Sequence, residues 1–119
     1  MAELLLGVPA SSIEAAPQDY FQAVRTIGSD YERRRVLSAH AARRGLGPAR
    51  IGTVAALTHD MGSDYERAEV LLALAAHQQL SGPGREAVLA AARRIGSDHD
   101  RGRVLSAMLE TGALASADR

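Results

Sequence analysis

Three stretches of this chain gather side chains that could do chemistry. Ile27-Gly28-Ser29-Asp30-Tyr31-Glu32-Arg33 places a hydroxyl, two carboxylates, a phenol and a guanidinium within seven residues. The set returns as Met61-Gly62-Ser63-Asp64-Tyr65-Glu66-Arg67 and again as Ile95-Gly96-Ser97-Asp98-His99-Asp100-Arg101. A hydroxyl beside carboxylates and a cation has the parts of nucleophilic or acid–base catalysis. The spacing argues for something else. Gly28 to Gly62 and Gly62 to Gly96 are each 34 residues. A catalytic site rarely recurs at every turn of an array, whereas a motif that maintains the fold must recur.

The structural alternative is specific. Ser29-x-x-Glu32 and Ser63-x-x-Glu66 match a capping box, and Ser97-x-x-Asp100 is a shorter version of it. Each Ser hydroxyl is expected to accept from the amide three residues on, with the acid reaching back to the Ser amide. Asp30, Asp64 and Asp98 then fall in a first helical turn, where negative charge suits the dipole. The preceding Gly suits a left-handed residue closing the previous helix. Ser29, Asp30, Glu32, Ser63, Asp64, Glu66, Ser97, Asp98 and Asp100 are therefore assigned to structure. Arg33, Arg67 and Arg101 are expected to pair with acids of the same or an adjacent copy, and Tyr31 and Tyr65 to fill the groove between copies.

Other candidates fare no better. His40, His59, His77 and His99 fall at unrelated repeat positions and have no metal-ligand spacing. Gly45-Leu46-Gly47-Pro48 and Ser81-Gly82-Pro83-Gly84 lack the Lys and the flanking strand of a phosphate loop. Ser38 and Ser106 have no nucleophile-elbow context. No enzyme, metal or cofactor is expected.

The elements that carry the motif are helices. After each motif comes Val-Leu, at residues 36–37, 70–71 and 104–105, and residues 28–46 match residues 62–80 at 12 of 19 positions. Val70, Leu71, Leu74 and Ala75 lie on one helical face, and Val36, Leu37, His40 and Ala41 repeat it. Gly and Pro then break the helix. A second helix is expected over about 49–61, facing inward with Ile51, Val54, Ala55, Thr58 and Met61, and another over about 85–95 with Val88, Leu89, Ala92 and Ile95. One such hairpin cannot bury its own face, and stacking supplies the missing partner. The expected fold is all-α: a short right-handed α-solenoid of five to seven helices, HEAT-like in shape. It forms one domain over residues 1–119, with a partial repeat over 1–27, repeats over 28–61 and 62–95, and a truncated repeat over 96–119.

Composition agrees. The chain has 119 residues, 46% hydrophobic but only 3% aromatic, so Ala, Leu, Val and Ile must build the core. There is no Cys, which excludes disulfides, thiolate metal sites and a Cys nucleophile. No Lys is present, and the 14 bases, all Arg, balance 14 acids. No apolar run approaches the roughly 20 residues of a membrane helix, and no basic segment precedes Leu4-Leu5-Leu6.

The tandem Gly-Ser-Asp-Tyr-Glu-Arg-x-x-Val-Leu motif over residues 17–119 resembles helical repeats in the soluble tails of bacterial membrane zinc peptidases of the β-lactam-sensor (BlaR) type and in related proteins. Their His-Glu-x-x-His is absent here, so no peptidase activity carries over. The resemblance implies a regulatory or interaction module of a longer protein. The cytoplasm is the default compartment, and an extracytoplasmic one follows if the chain is a piece of such a peptidase.

Function is then sought on the surface. Arg34, Arg35, Glu69 and Arg103 vary between copies around an unvarying frame, and Arg43 and Arg44 extend the basic stretch. These six are the candidate binding surface. Residues 29–50 hold six Arg against two acids, which raises an alternative of Arg-mediated nucleic-acid or anionic-ligand binding. The zero net charge and the absence of interleaved aromatics disfavour nucleic acid. A protein partner is expected. A further alternative is self-association through apolar repeat ends, at Leu4 to Leu6 and Leu105 to Leu114.

Overall fold

Each motif Ser starts a helix. Ser29, Ser63 and Ser97 hold extended backbone, and their hydroxyls accept from the amides of Glu32, Glu66 and Asp100 at 3.3, 3.2 and 3.2 Å. The computed structural model describes residues 2–43 and 45–111. The three capped helices are α4 (Asp30–Ala41), α6 (Asp64–His77) and α8 (Asp98–Glu110). Between them run α5 (Pro48–Leu57), continued by a 3-10 turn over Thr58–Asp60, and α7 (Gly82–Arg93). Each has a Pro in its first turn, where the missing amide costs nothing. Before them lie α1 (Ala2–Leu6), α2 (Ala10–Ala15) and α3 (Pro17–Arg25). The described residues are predominantly helical, with no strand among them. The short helices α1 and α2 bring the described α-helices to eight, beyond the expected five to seven.

The helices pack in two rows. In one, α4 lies between α1 and α6, and α6 lies between α4 and α8. In the other, α5 packs extensively on α7, but α3 and α5 barely touch. The rows close on one core. Val36, Val70 and Val104 are fully buried from the first row, and Val54 and Val88 from the second. Ile27, Met61 and Ile95, just before each motif Gly, are buried as well. Of the residues expected on the inward helical faces Leu89 is incompletely buried, and Tyr31 and Tyr65, expected in the groove, are exposed. Each large aliphatic side chain so buried contributes about 2 kcal/mol of transfer free energy. The radius of gyration is 13.5 Å, close to the ~13.5 Å expected of a compact domain of this length.

Leu5 is buried beneath α1, which packs on α4, so that part of the expected open apolar end is covered from within the chain. Leu4 is exposed. At the other end Met108 is buried and Leu109 is exposed, and residues 112–114 lie outside the described residues.

Candidate functional site

The chemistry-bearing motif is used at the joints between successive copies. One oxygen of Asp30 accepts from the amides of both Gly62 and Ser63, at 2.8 Å each. Asp64 does the same for the Ser97 amide at 2.9 Å. The acid one copy back thus takes the Ser amide that the capping box would give to its own Glu. Glu66 and Asp100 are freed by this exchange, Glu66 to pair with Arg34 at 2.8 Å and Asp100 with Arg103 at 3.1 Å.

Arg67 and Arg101 pair with Asp64 and Asp98 of their own copies as expected, Arg33 pairs with no acid among the described residues, and all three also serve carbonyls. Arg33 donates to the carbonyls of Ile27 at 2.7 Å, Arg25 at 3.2 Å and Asp60 at 3.4 Å. Arg67 donates to Met61 at 2.6 Å, Arg94 at 3.2 Å and His59 at 3.4 Å, and reaches Asp64 only at 3.5 Å. Each guanidinium therefore closes the ends of two second-row helices, where the orphan carbonyls and the dipole both favour a cation. Arg101 donates to the Ile95 carbonyl at 3.0 Å and, of the three, is the one closely paired with its motif acid, Asp98. The motif glycines also differ from expectation. Positive φ occurs among the described residues only at Gly45 and Gly82. Gly28, Gly62 and Gly96 are not left-handed, and at the Gly62 and Gly96 joints the Asp carboxylate of the preceding copy organises the turn.

Tyr31 and Tyr65 do not fill the groove. They are 54% and 52% exposed. The guanidinium of Arg34 lies 4.9 Å over the Tyr31 ring, and that of Arg103 lies 5.0 Å over Tyr65. The remaining surface candidates are largely engaged. Arg103 also pairs with Glu69 at 2.5 Å, and Arg35 with Glu3 and Glu32 at 2.8 Å each. Arg43 donates to the Val8 carbonyl at 2.9 Å. Arg44 lies outside the described residues. Hydrogen bonds to Glu66 and Glu69 hold the Arg34 and Arg103 guanidiniums above their ordinary pKa.

Two features stand near the N-terminal end: His40, on the inward face as its spacing implies, and a cleft that the sequence does not announce. His40 is 2% exposed and both ring nitrogens lack a partner. Its ring sits 5.5 Å from Tyr20 and stands edge-on to Phe21 at 5.3 Å. Burial, with lesser contributions from Arg43 and Arg50, lowers its pKa to about 4, so the imidazole is neutral. Burial also lowers His59. Phe21 also borders a cleft of about 540 Å³ between α3 and α5. It is lined by Gln18, Gln22, Arg25, Arg50 and Thr53 around the Phe21 ring. The signal was available in the sequence only by setting residues 17–25 beside residues 51–59, a pairing that the weakly matching first copy does not invite.

Among the described residues no cluster of three or more His, Asp or Glu could hold a metal ion. No described helix is long and apolar enough to cross a membrane. No family model, curated protein or solved structure matches this chain.

Proposed function

We propose that the chain is a non-catalytic module for protein–protein interaction or scaffolding, built as a short right-handed α-solenoid of HEAT-like units with a 34-residue period. The observation that carries this reading is the Tyr–Arg ladder. The Ser, Asp, Glu and Arg of the motif have structural partners, while Tyr31 and Tyr65 point outward, each beneath an Arg. Exposing such a Tyr to solvent has no rationale in the fold of the monomer, and Tyr and Arg are enriched among the residues that dominate the energetics of protein interfaces. The same ladder disfavours the Arg-mediated nucleic-acid or anion alternative on this face, because Arg34 and Arg103 are already matched by Glu66 and Glu69. Self-association keeps one supporting feature, the exposed Leu109 on α8.

The test is a photo-crosslinking amino acid placed at residue 31 or 65 in the cell of origin, with residue 76 on α6 as control. One saturable adduct from the ladder positions, lost in Arg103→Ala with unfolding midpoint kept, is the expected result. Adducts equally distributed over all three positions would overturn the reading. An adduct of twice the chain mass would transfer it to self-association.

A further inference from the structure

Helix α5 meets its two neighbours at positions that the 34-residue period makes equivalent. Toward α7, Gly52 faces Ala87, an added Cβ lying 3.9 Å from that of Ala87, and Gly84 lies against Ile51, where a Cβ would be 3.6 Å away. One period earlier the same two pairs are Gln18 with Thr53 and Pro17 with Arg50. Gly52 becomes Gln18, Ala87 becomes Thr53 and Gly84 becomes Arg50. The small residues that let α5 and α7 close are replaced by long or polar ones, and the α3/α5 seam stands open as the 540 Å³ cleft. That volume lies within the usual range of small-molecule sites.

The lining has a consistent chemistry. Two guanidiniums, two carboxamides and a hydroxyl surround the space, and no carboxylate of the described residues lines it. Arg25 is exposed and has no ion pair among the described residues. Arg50 lies 5.6 Å over the Phe21 ring and has further interactions of its own, so it is held in place while Arg25 brings the uncommitted charge. Phe21 is 6% exposed and gives the cleft an apolar wall. Guanidinium forks favour carboxylate and phosphate oxygens through charge-assisted hydrogen bonds.

The geometry points to a binding site between α3 and α5 for a small organic anion, a carboxylate or phosphate on a planar apolar body, with Arg25 on the anion and the apolar body toward the wall that Phe21 and Arg50 form. This site rests on the sequence register and the cleft alone. It stands or falls separately from protein docking on the Tyr–Arg ladder.

The probes are phenyl phosphate, benzoate and inorganic phosphate, each titrated into the isotope-labelled full chain and followed by amide chemical shifts. Saturable shifts on Gln18, Gln22, Ala49 and Thr53 are expected with one or both aromatic anions, and the tighter of the two identifies the anionic group. Inorganic phosphate, lacking the ring, binds more weakly. Arg25→Gln lowers the affinity about tenfold, the worth of one charge-assisted hydrogen bond, and leaves the unfolding midpoint in place because Arg25 is exposed and unpaired. Three results overturn the site: shifts dispersed over all Arg-bearing helices, inorganic phosphate binding as tightly as phenyl phosphate, or an affinity indifferent to Arg25→Gln.

Discussion

The N-terminal copy and the copies that follow share a frame and differ in what fills it. Val36, Val70 and Val104 occupy one register position and are all fully buried. At the next inward position the residues are His40, Leu74 and Met108, buried alike but chemically different. The second-row positions that face them run Tyr20, Val54 and Val88, and Phe21, Ala55 and Leu89. The later copies are thus aliphatic and closely packed. The N-terminal end, where the partial repeat meets the repeat over 28–61, holds the buried imidazole, the aromatic cluster and the cleft. Repetition fixes where side chains point, and a few changes of size and polarity within that frame turn a closed seam into a cavity.

The strongest way to break this contrast is to erase the imidazole. His40 titrates at about 4 in the fold, against about 6.5 in an unfolded chain. The unfolded state therefore binds more protons between these values, and stability falls as pH drops through that window and is full above it. A separation of this size corresponds to about 3 kcal/mol. His40→Leu, which copies Leu74, should remove the slope and also relieve two unpartnered buried nitrogens, stabilising the fold at pH 7 by about 1–2 kcal/mol. Urea denaturation of both proteins across pH 4–7 measures the difference. An unchanged slope in His40→Leu would mean that another group titrates.

A second contrast lies between the first motif acid and the last. Asp30 holds two amides of the next copy at 2.8 Å. Asp98, at the equivalent position, has a 91% exposed side chain that pairs with Arg101 of its own turn. Asp30→Ala should cost about 2 kcal/mol, since it leaves two donors without their charged acceptor. Asp98→Ala should stay within about 0.5 kcal/mol, the range of a surface substitution. Equal midpoint shifts in thermal unfolding would show that the acid acts through its own helix dipole and not across the joint.

That distinction marks how far the sequence could be read. Capping by Ser29, Ser63 and Ser97 acts over three residues, so it is legible in a short window, as is the burial of Val36-Leu37 and Val70-Leu71. The bond from Asp30 to Ser63 spans 33 residues. It becomes visible only when one copy is laid on the next, which brings the helix starts within reach of each other. The exposure of the Tyr rings is illegible for the same reason. A phenol one residue after the motif Asp fits a groove as well as a surface on helical spacing, and the Arg over it comes from its own turn at Tyr31 but from the next helix at Tyr65. The cleft is harder still, because it depends on the size of residues on two helices jointly.

Size is also what the smallest predicted effects resolve. If bulk decides whether α5 closes on a neighbour, Gly52→Leu should destabilise by about 1–3 kcal/mol through overpacking against Ala87. Gln18→Leu, one period earlier and facing the open cleft, should change stability by no more than about 0.5 kcal/mol. Gly52→Ala separates bulk from backbone. Its Cβ would sit 3.9 Å from that of Ala87, an ordinary contact, and Ala is favoured over Gly in a helix interior by roughly 0.5–1 kcal/mol. A gain of that size in urea denaturation would show that the closed seam has room for one carbon and not for four, so that Gln18 and Arg50 open its counterpart by length. A loss with Ala would show instead that the seam needs glycine itself, and the cleft would then follow from its absence at residue 18 rather than from the side chains that line it.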